Sequence, residues 1–272
     1  MAAIRIAQET VDAAQGGDRQ ALESVLAGVQ DQVHALARRI LVDVEDVREA
    51  TQEILILVLT KLSTFRGESA FSTWVYQIAV RYLINARKLR ARDPGLTFEM
   101  FAADLENGLV ADPPKAPDQD LLLNELRTSC TMAMLLCLTL DLRLAYVLGD
   151  VFELDHSEAA TILEITPAAF RKRLSRARSA VHEFTAQNCG LVNQSAPCSC
   201  PRRLPAAMAS GRIKLNDYPN SGEGADSFQA VKRRIGSVVD ALKSYELFSA
   251  VPDYRCPDDI RHQLTEILSP NI

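Results

Sequence analysis

Apolar residues return at helical spacing over most of the chain. Leu22, Val25, Leu26, Val29, Val33, Leu36 and Ile40 recur three and four apart, and Val47, Ile54, Leu57, Val58 and Leu62 continue the rhythm in the next segment. Two amphipathic helices are predicted there. From Trp74 onward, Val75, Ile78, Tyr82, Ala86 and Leu89 fall on one stripe, which predicts a third helix with that face buried. The periodicity fails between Asp93 and Leu121, where "DPG", "NG" and "DPPKAPD" supply turn and extended dipeptides, so this stretch reads as a linker. Helical spacing resumes with Leu121, Leu122 and Leu126, then Leu140, Leu144, Val147, Leu148 and Val151. After about Gln187, "CGLVNQSAPCSCPRRLP" and "NDYPNSGEGAD" are turn-rich. One more amphipathic stretch runs from Phe228 to Leu247, with Val231, Ile235, Val238, Val239, Leu242 and Leu247 as its apolar positions. Neither an internal repeat nor a useful run of alternating strand pattern is apparent. The predicted class is all-α, with two small helical domains joined by a flexible linker and followed by a small, mainly helical C-terminal extension. The bounds read as 1–92, 93–121, 122–187 and 188–272.

The polar positions carry the chemistry. On the helix that starts near Trp74, the residues Trp74, Gln77, Arg81, Asn85, Lys88 and Arg92 share one stripe of aromatic, amide and basic groups beside the buried face. Arginine and lysine neutralise phosphates, amides can bond base edges, and an indole can stack on an unpaired base. The alternative is that the single tryptophan belongs to the core and the charges are a solvated face. A second basic helix stands in "ELDHSEAATILEITPAAFRKRLSRARSAVHEF", which reads as helix, turn, helix. Asp155 can cap the first of these helices and Glu158, three residues later, can close a capping box. Thr166 and Pro167 supply an N-cap and first-turn proline for the second. Phe170, Leu174, Ala177 and Val181 point inward, while Ala168, Arg171, Lys172, Ser175 and Ser179 face out with Arg176 and Arg178 on the flanks. That is the layout of a recognition helix for a major groove, and an ordinary helical hairpin with a basic surface is the alternative.

Charge and composition narrow the setting. The net charge is −5 over 272 residues, so nucleic-acid binding has to come from local clusters. The N-terminal "MAAIRIAQETVDAAQGGD" has neither the basic lead nor the apolar core of a signal peptide, and the apolar runs Ile54 to Leu59 and Met132 to Leu138 are far shorter than a membrane span. A cytoplasmic protein with reduced cysteines is expected. No phosphate-cradling glycine loop, G-x-S-x-G elbow or H-E-x-x-H motif occurs, and His34, His156, His182 and His262 are scattered and read as surface or cap residues. Cys130 and Cys137 read as core. Cys189, Cys198, Cys200 and Cys256 could together hold zinc, although C-x-C is not the usual knuckle and free thiols are the alternative. Arg202 and Arg203 beside them would lower the thiol pKa values.

The stretches "DVREATQEILILVLTKLSTFRGESAFSTWVYQIA" and "HSEAATILEITPAAFRKRLSRAR" resemble the extracytoplasmic-function group of the sigma-70 family of bacterial RNA polymerase sigma factors, covering regions two and four from about Leu22 to Phe184. The resemblance implies a non-enzymatic specificity subunit with core RNA polymerase and promoter DNA as partners, room for an anti-sigma factor, no membrane association and no required cofactor. It implies that the helix with Asp46, Glu49, Gln52 and Glu53 docks on the polymerase. It further implies that Phe65 to Trp74 helps hold melted DNA, that Gln77 to Arg92 reads the minus-ten element, and that Ala168 to Ser179 reads the minus-thirty-five element. Two positions depart from the group's pattern: Arg81 stands where many members carry Asn, and Arg48 stands at an acidic position before "ATQE". The extension after residue 187 lies outside the common two-domain plan. A free helix-turn-helix regulator that binds duplex DNA unaided is the competing function. It would need neither the "ATQE" helix nor "FRGESAFSTW".

Overall fold

In the computed structural model the described residues are 4–41, 43–89, 95–114, 118–217, 220 and 226–267. Helices follow one another as α1 Gln8–Gln15, α2 Arg19–Ile40, α3 Val44–Lys61, α4 Phe71–Leu89, α5 Phe98–Glu106, α6 Gln119–Cys137, α7 Leu140–Tyr146, α8 His156–Ile162, α9 Pro167–Asn188, α10 Cys200–Ala209, α11 Phe228–Ser237, α12 Asp240–Ser249 and α13 Asp258–Ile267. Among the described residues the only β pairings are two isolated bridges, Cys189 with Cys198 and Lys214 with Asp217. The all-α class predicted from periodicity is the class observed.

The chain forms two compact units that do not follow sequence order. One comprises Met1–Pro94, Val147–Lys172 and Asp253–Ile272, the other Gly95–Tyr146 and Arg173–Pro252. The first helix of the predicted helix-turn-helix therefore belongs to the same unit as α2, α3 and α4, and the C-terminal extension is divided between the two.

The first unit is built on α2, α3 and α4, with α1 packed on α2. Val25, Val29, Val33 and Leu36 of α2, Ile54, Leu55 and Val58 of α3, and Val75, Ala79 and Leu83 of α4 are fully or almost fully buried. Each large aliphatic side chain so buried contributes about 1.5–3 kcal/mol. Asp18 starts α2 by accepting the Ala21 N–H at 2.7 Å, and Asp43 starts α3 by accepting those of Glu45 and Asp46 at 2.9 and 3.1 Å. Between α3 and α4 the Gln15 amide donates to the carbonyls of Leu62 (2.9 Å) and Phe65 (2.8 Å), pinning the start of the "FRGES" loop.

The second unit is centred on α6. Leu122, Leu123 and Leu126 pack with Leu204 and Ala207 of α10, with Ile213 in the segment after it, and with Phe228 of α11. The buried Arg143 guanidinium donates to the carbonyls of Leu135 (2.7 Å), Leu136 (2.8 Å) and Leu138 (3.2 Å), satisfying the C-terminal end of α6. The expected linker is not structureless, because α5 lies inside it. Thr97 caps that helix by accepting the Met100 N–H at 3.2 Å, and Phe101 stacks on Phe184 at 5.4 Å between ring centres. The Asp104 carboxylate of α5 bonds Arg203 at 2.8 Å and Arg212 at 2.8 Å. The amphipathic stretch expected as one helix from Phe228 to Leu247 is two helices, α11 and α12, broken at Val238 and Val239. Val239 is left 68% exposed and Leu242 48% exposed, so two of its expected apolar positions are not buried.

Candidate polymerase and nucleic-acid interfaces

On α3 the residues Val47, Ala50, Thr51, Ile54 and Val58 turn inward. With about 100° per residue, Gln52, Glu49, Glu53 and Asp46 occupy one outward arc. Glu49 and Glu53 are exposed, Asp46 and Gln52 half-buried. An anionic face on a rigid, capped helix is what a basic protein partner would complement. Beneath it, His34 is buried rather than at the surface as expected, with Nδ1 3.1 Å from the Thr51 hydroxyl. Burial, aided by the Arg38 charge, pulls its pKa from 6.5 to about 4, so the imidazole is neutral.

The α4 stripe is partly engaged. Trp74 is half-buried in a cluster with Phe65 (5.5 Å) and Phe71 (5.6 Å, stacked), so the indole has a packed side and an open one. Further along, α8 packs on α4. The buried Thr73 hydroxyl donates to Glu158 at 2.9 Å, the Gln77 amide to the Thr161 carbonyl at 3.0 Å, and the Arg81 Nε to Glu164 at 2.7 Å. Arg81 keeps 64% exposure and Asn85 is exposed. The side chain of Lys88 and the whole of Arg92 lie outside the described residues. Sequence reasoning missed Thr73, Glu158 and Glu164. Glu158 was expected to close a capping box, but its carboxylate turns to Thr73, and Asp155 alone caps α8 by accepting the Ser157 N–H at 2.8 Å. Hydrogen bonds from the Ser157 hydroxyl and then its N–H hold the Asp155 carboxyl below its usual range.

From α8 the chain turns through Glu164, whose φ of 55° is left-handed, and enters α9 with Thr166 accepting the Ala169 N–H at 3.2 Å. Phe170, Leu174, Ala177 and Val181 are buried. Ala168, Arg171, Lys172, Ser175, Arg176, Arg178 and Ser179 are all exposed. The predicted reading face is thus displayed as a continuous basic surface on a 22-residue helix.

The cysteines are arranged differently from the expected zinc set. Cys130, Cys189, Cys198 and Cys200 line one small cavity of about 30 Å³ with Phe101 and Phe184, while Cys256 belongs to the other unit. Among the described residues no three of His, Cys, Asp or Glu are grouped so as to hold an ion. Gly190 permits this fold of the tail, because a Cβ there would lie 2.6 Å from the Cys198 carbonyl that its own N–H bonds at 2.8 Å. Burial pushes the Cys130 thiol up to about 12 and Cys198 to about 11, and raises Cys189 and Cys200 as well. Arg202 and Arg203 do not lower these values to the reactive range as expected. Arg203 is buried on Asp104, and Arg202 donates to the carbonyls of Pro197 (3.0 Å) and Val110 (3.3 Å).

Residues 27–93 match the family Sigma-70 region 2, and residues 129–181 match Sigma-70, region 4. The chain is 32% identical over 176 residues to the ECF RNA polymerase sigma-E factor of Escherichia coli strain K12, covering 64% of this chain and 91% of that protein. It is 29% identical over 177 residues to the RNA polymerase sigma-H factor of Pseudomonas aeruginosa, with 64% and 91% covered. A solved structure of CnrH in complex with the cytosolic domain of CnrY aligns over 65% of this chain and 94% of that one, with 18% identity and a TM-score of 0.47. No helix among the described residues is long and apolar enough to cross a membrane.

Proposed function

The chain belongs to the ECF RNA polymerase sigma factors, and from that membership we propose how its surfaces divide the work of promoter-specific initiation. The α3 arc of Asp46, Glu49, Gln52 and Glu53 docks on core polymerase. Trp74 and the α4 stripe engage the melted minus-ten element, Trp74 stacking through its open side. The α9 face from Ala168 to Ser179 enters the major groove at the minus-thirty-five element, its N-terminal residues nearest the base edges. The protein works in the cytoplasm with polymerase and serves as a specificity subunit that catalyses no step itself.

One observation carries this reading against that of a free helix-turn-helix regulator: the first helix of the motif, α8, lies against the DNA-reading stripe of α4. A regulator that binds duplex DNA by itself has its motif assembled and open. Here Thr73, Gln77 and Arg81 are bonded to Glu158, Thr161 and Glu164, so those α4 groups must exchange partners before they meet DNA. The polar contacts are together worth on the order of a few kcal/mol, a cost that docking on a large partner can offset. The test is run-off transcription with core polymerase on matched promoter and scrambled templates. Promoter-specific transcripts only when both chain and core are present are expected. Sequence-specific duplex binding by the chain alone, with no stimulation of core, would overturn the reading in favour of the free regulator.

A further inference from the structure

The last described segment of the chain returns to the polymerase-docking helix. Tyr254 lies under the guanidinium groups of Arg39 at 5.0 Å and Arg38 at 5.4 Å from its ring centre. The Cys256 N–H donates to the Asp31 carboxylate at 2.9 Å. Helix α13 then packs on α3, with Ile260 and Leu264, one turn apart on a single face, only 2% and 1% exposed. Arg48 of α3 pairs with Asp259 of α13. Arg48 is the residue that departs from the acidic position of the group's pattern given by the resemblance. Its cationic charge on the anionic docking face meets Glu45 of its own helix at 3.8 Å and Asp259 of the C-terminal extension.

Helix geometry sets the consequence. Taking Arg48 as origin and about 100° per residue, Gln52 lies about 40° around the α3 axis, Glu49 about 100° and Glu53 about 140°. α13 is therefore anchored at the edge of the docking arc. A helix is about 10 Å across with its side chains, so a second protein approaching Glu49 and Glu53 meets α13 on its flank although both glutamates remain exposed.

We propose that the segment Asp253–Ile267 is a built-in competitor of core polymerase, which must be displaced from the Arg48 side of α3 before the sigma factor docks. The inference rests on the assignment of α3 as the docking helix. Displacement would expose the apolar surface that Ile260 and Leu264 cover and free Arg48, so the apparent affinity for polymerase is lowered by the fraction of chains with the segment in place.

The test is equilibrium binding of fluorescently labelled full-length chain to core polymerase. The double substitution Ile260→Asp, Leu264→Asp removes the buried anchor and is expected to bind about tenfold more tightly than the parent chain. Asp259→Arg leaves the buried face untouched and is expected to bind about two- to fourfold more tightly, since the exposed ion pair it breaks is a weak contact. Equal affinities for parent, double variant and Asp259→Arg would overturn the competition while leaving the docking assignment in place. Failure of all of them to bind core would instead remove the docking assignment, and the competition with it.

Discussion

Two basic helices, α4 and α9, read alike in the sequence and stand differently in the fold. Both carry an apolar stripe flanked by arginine, lysine and small polar residues. On α9 the whole outward face is exposed. On α4 the stripe is bonded at Gln77 by Thr161 of α8 and at Arg81 by Glu164 of the turn that follows, with buried Thr73 beside it bonding Glu158, and its aromatic end is half-packed against Phe65 and Phe71. The groups that hold it, the Thr161 carbonyl and the Glu164 carboxylate, come from the motif whose second helix is the proposed reader of the upstream element. A basic stripe with an acidic partner in its own chain is a surface in reserve. The α9 face stands exposed at Ala168, Arg171, Lys172, Ser175, Arg176, Arg178 and Ser179. In the proposed division of work, α9 makes first contact with duplex DNA and α4 a later one that follows docking on polymerase.

The sharpest break of this comparison is at the step said to separate the stages. Glu49→Lys with Glu53→Lys reverses the exposed acids of α3, and like charges set against a partner cost several kcal/mol. Co-purification with core polymerase should be lost while the circular-dichroism spectrum is unchanged. Undiminished binding would mean that α3 is not the docking helix and that α4 has no such step to wait for.

Acid should loosen the unit that contains α4. The folded pKa of His34, about 4, lies below its unfolded value of 6.5, so the unfolded chain binds the extra proton. The associated stability is fully present above pH 6.5 and is lost as pH falls toward 4. At 1.36 kcal/mol per unit, about 2 kcal/mol should be gone at pH 5. Urea unfolding at pH 7.5 and 5 measures it, with amide exchange rising in α2 and α3 as the local sign.

Trp74→Ala tests the waiting stripe. Loss of base stacking costs about 1–3 kcal/mol and should appear in promoter opening, read by permanganate reactivity of promoter thymines. Initial duplex binding should be little changed. Because the indole also packs on Phe65 and Phe71, some thermal stability is lost too, and a pre-melted template tells the two apart by failing to rescue a purely structural defect. Smallest in extent is Arg171→Ala with Lys172→Ala on the open reader. A direct base contact is worth about 1–3 kcal/mol at one base pair, so preference should relax locally at the upstream element, whereas a phosphate contact would weaken all sequences alike. Competition among single-base variants of that element distinguishes them.

The comparison also shows what was legible in the sequence. Periodicity found α2, α3, α4, α6 and α9, because each has an apolar face with 3.6-residue spacing, and the exposure of Arg171, Lys172 and Ser175 followed from it. The caps Asp155 and Thr166 were readable for the same local reason. What escaped was non-local or short. The nine-residue α5 lies among turn dipeptides, although Thr97, Phe98, Phe101 and Leu105 carried its cap and spacing. Glu158 has two chemically sound uses, a capping box or a distant hydroxyl, and only the fold selects Thr73. His34 shows no sign of burial until α3 covers it. The thiol values were misjudged because neighbouring arginines are visible in sequence and desolvation is not.

The most direct test of the two-stage account uses one labelled promoter fragment bearing both elements, incubated with the full-length chain with and without core polymerase and footprinted base by base. With core, protection is predicted over both elements, with thymines around the minus-ten element becoming reactive. Without core, any protection should be confined to the minus-thirty-five element facing α9. Protection of the minus-ten element by the chain alone, as strong as in the polymerase complex, would contradict the claim that α4 is held in reserve.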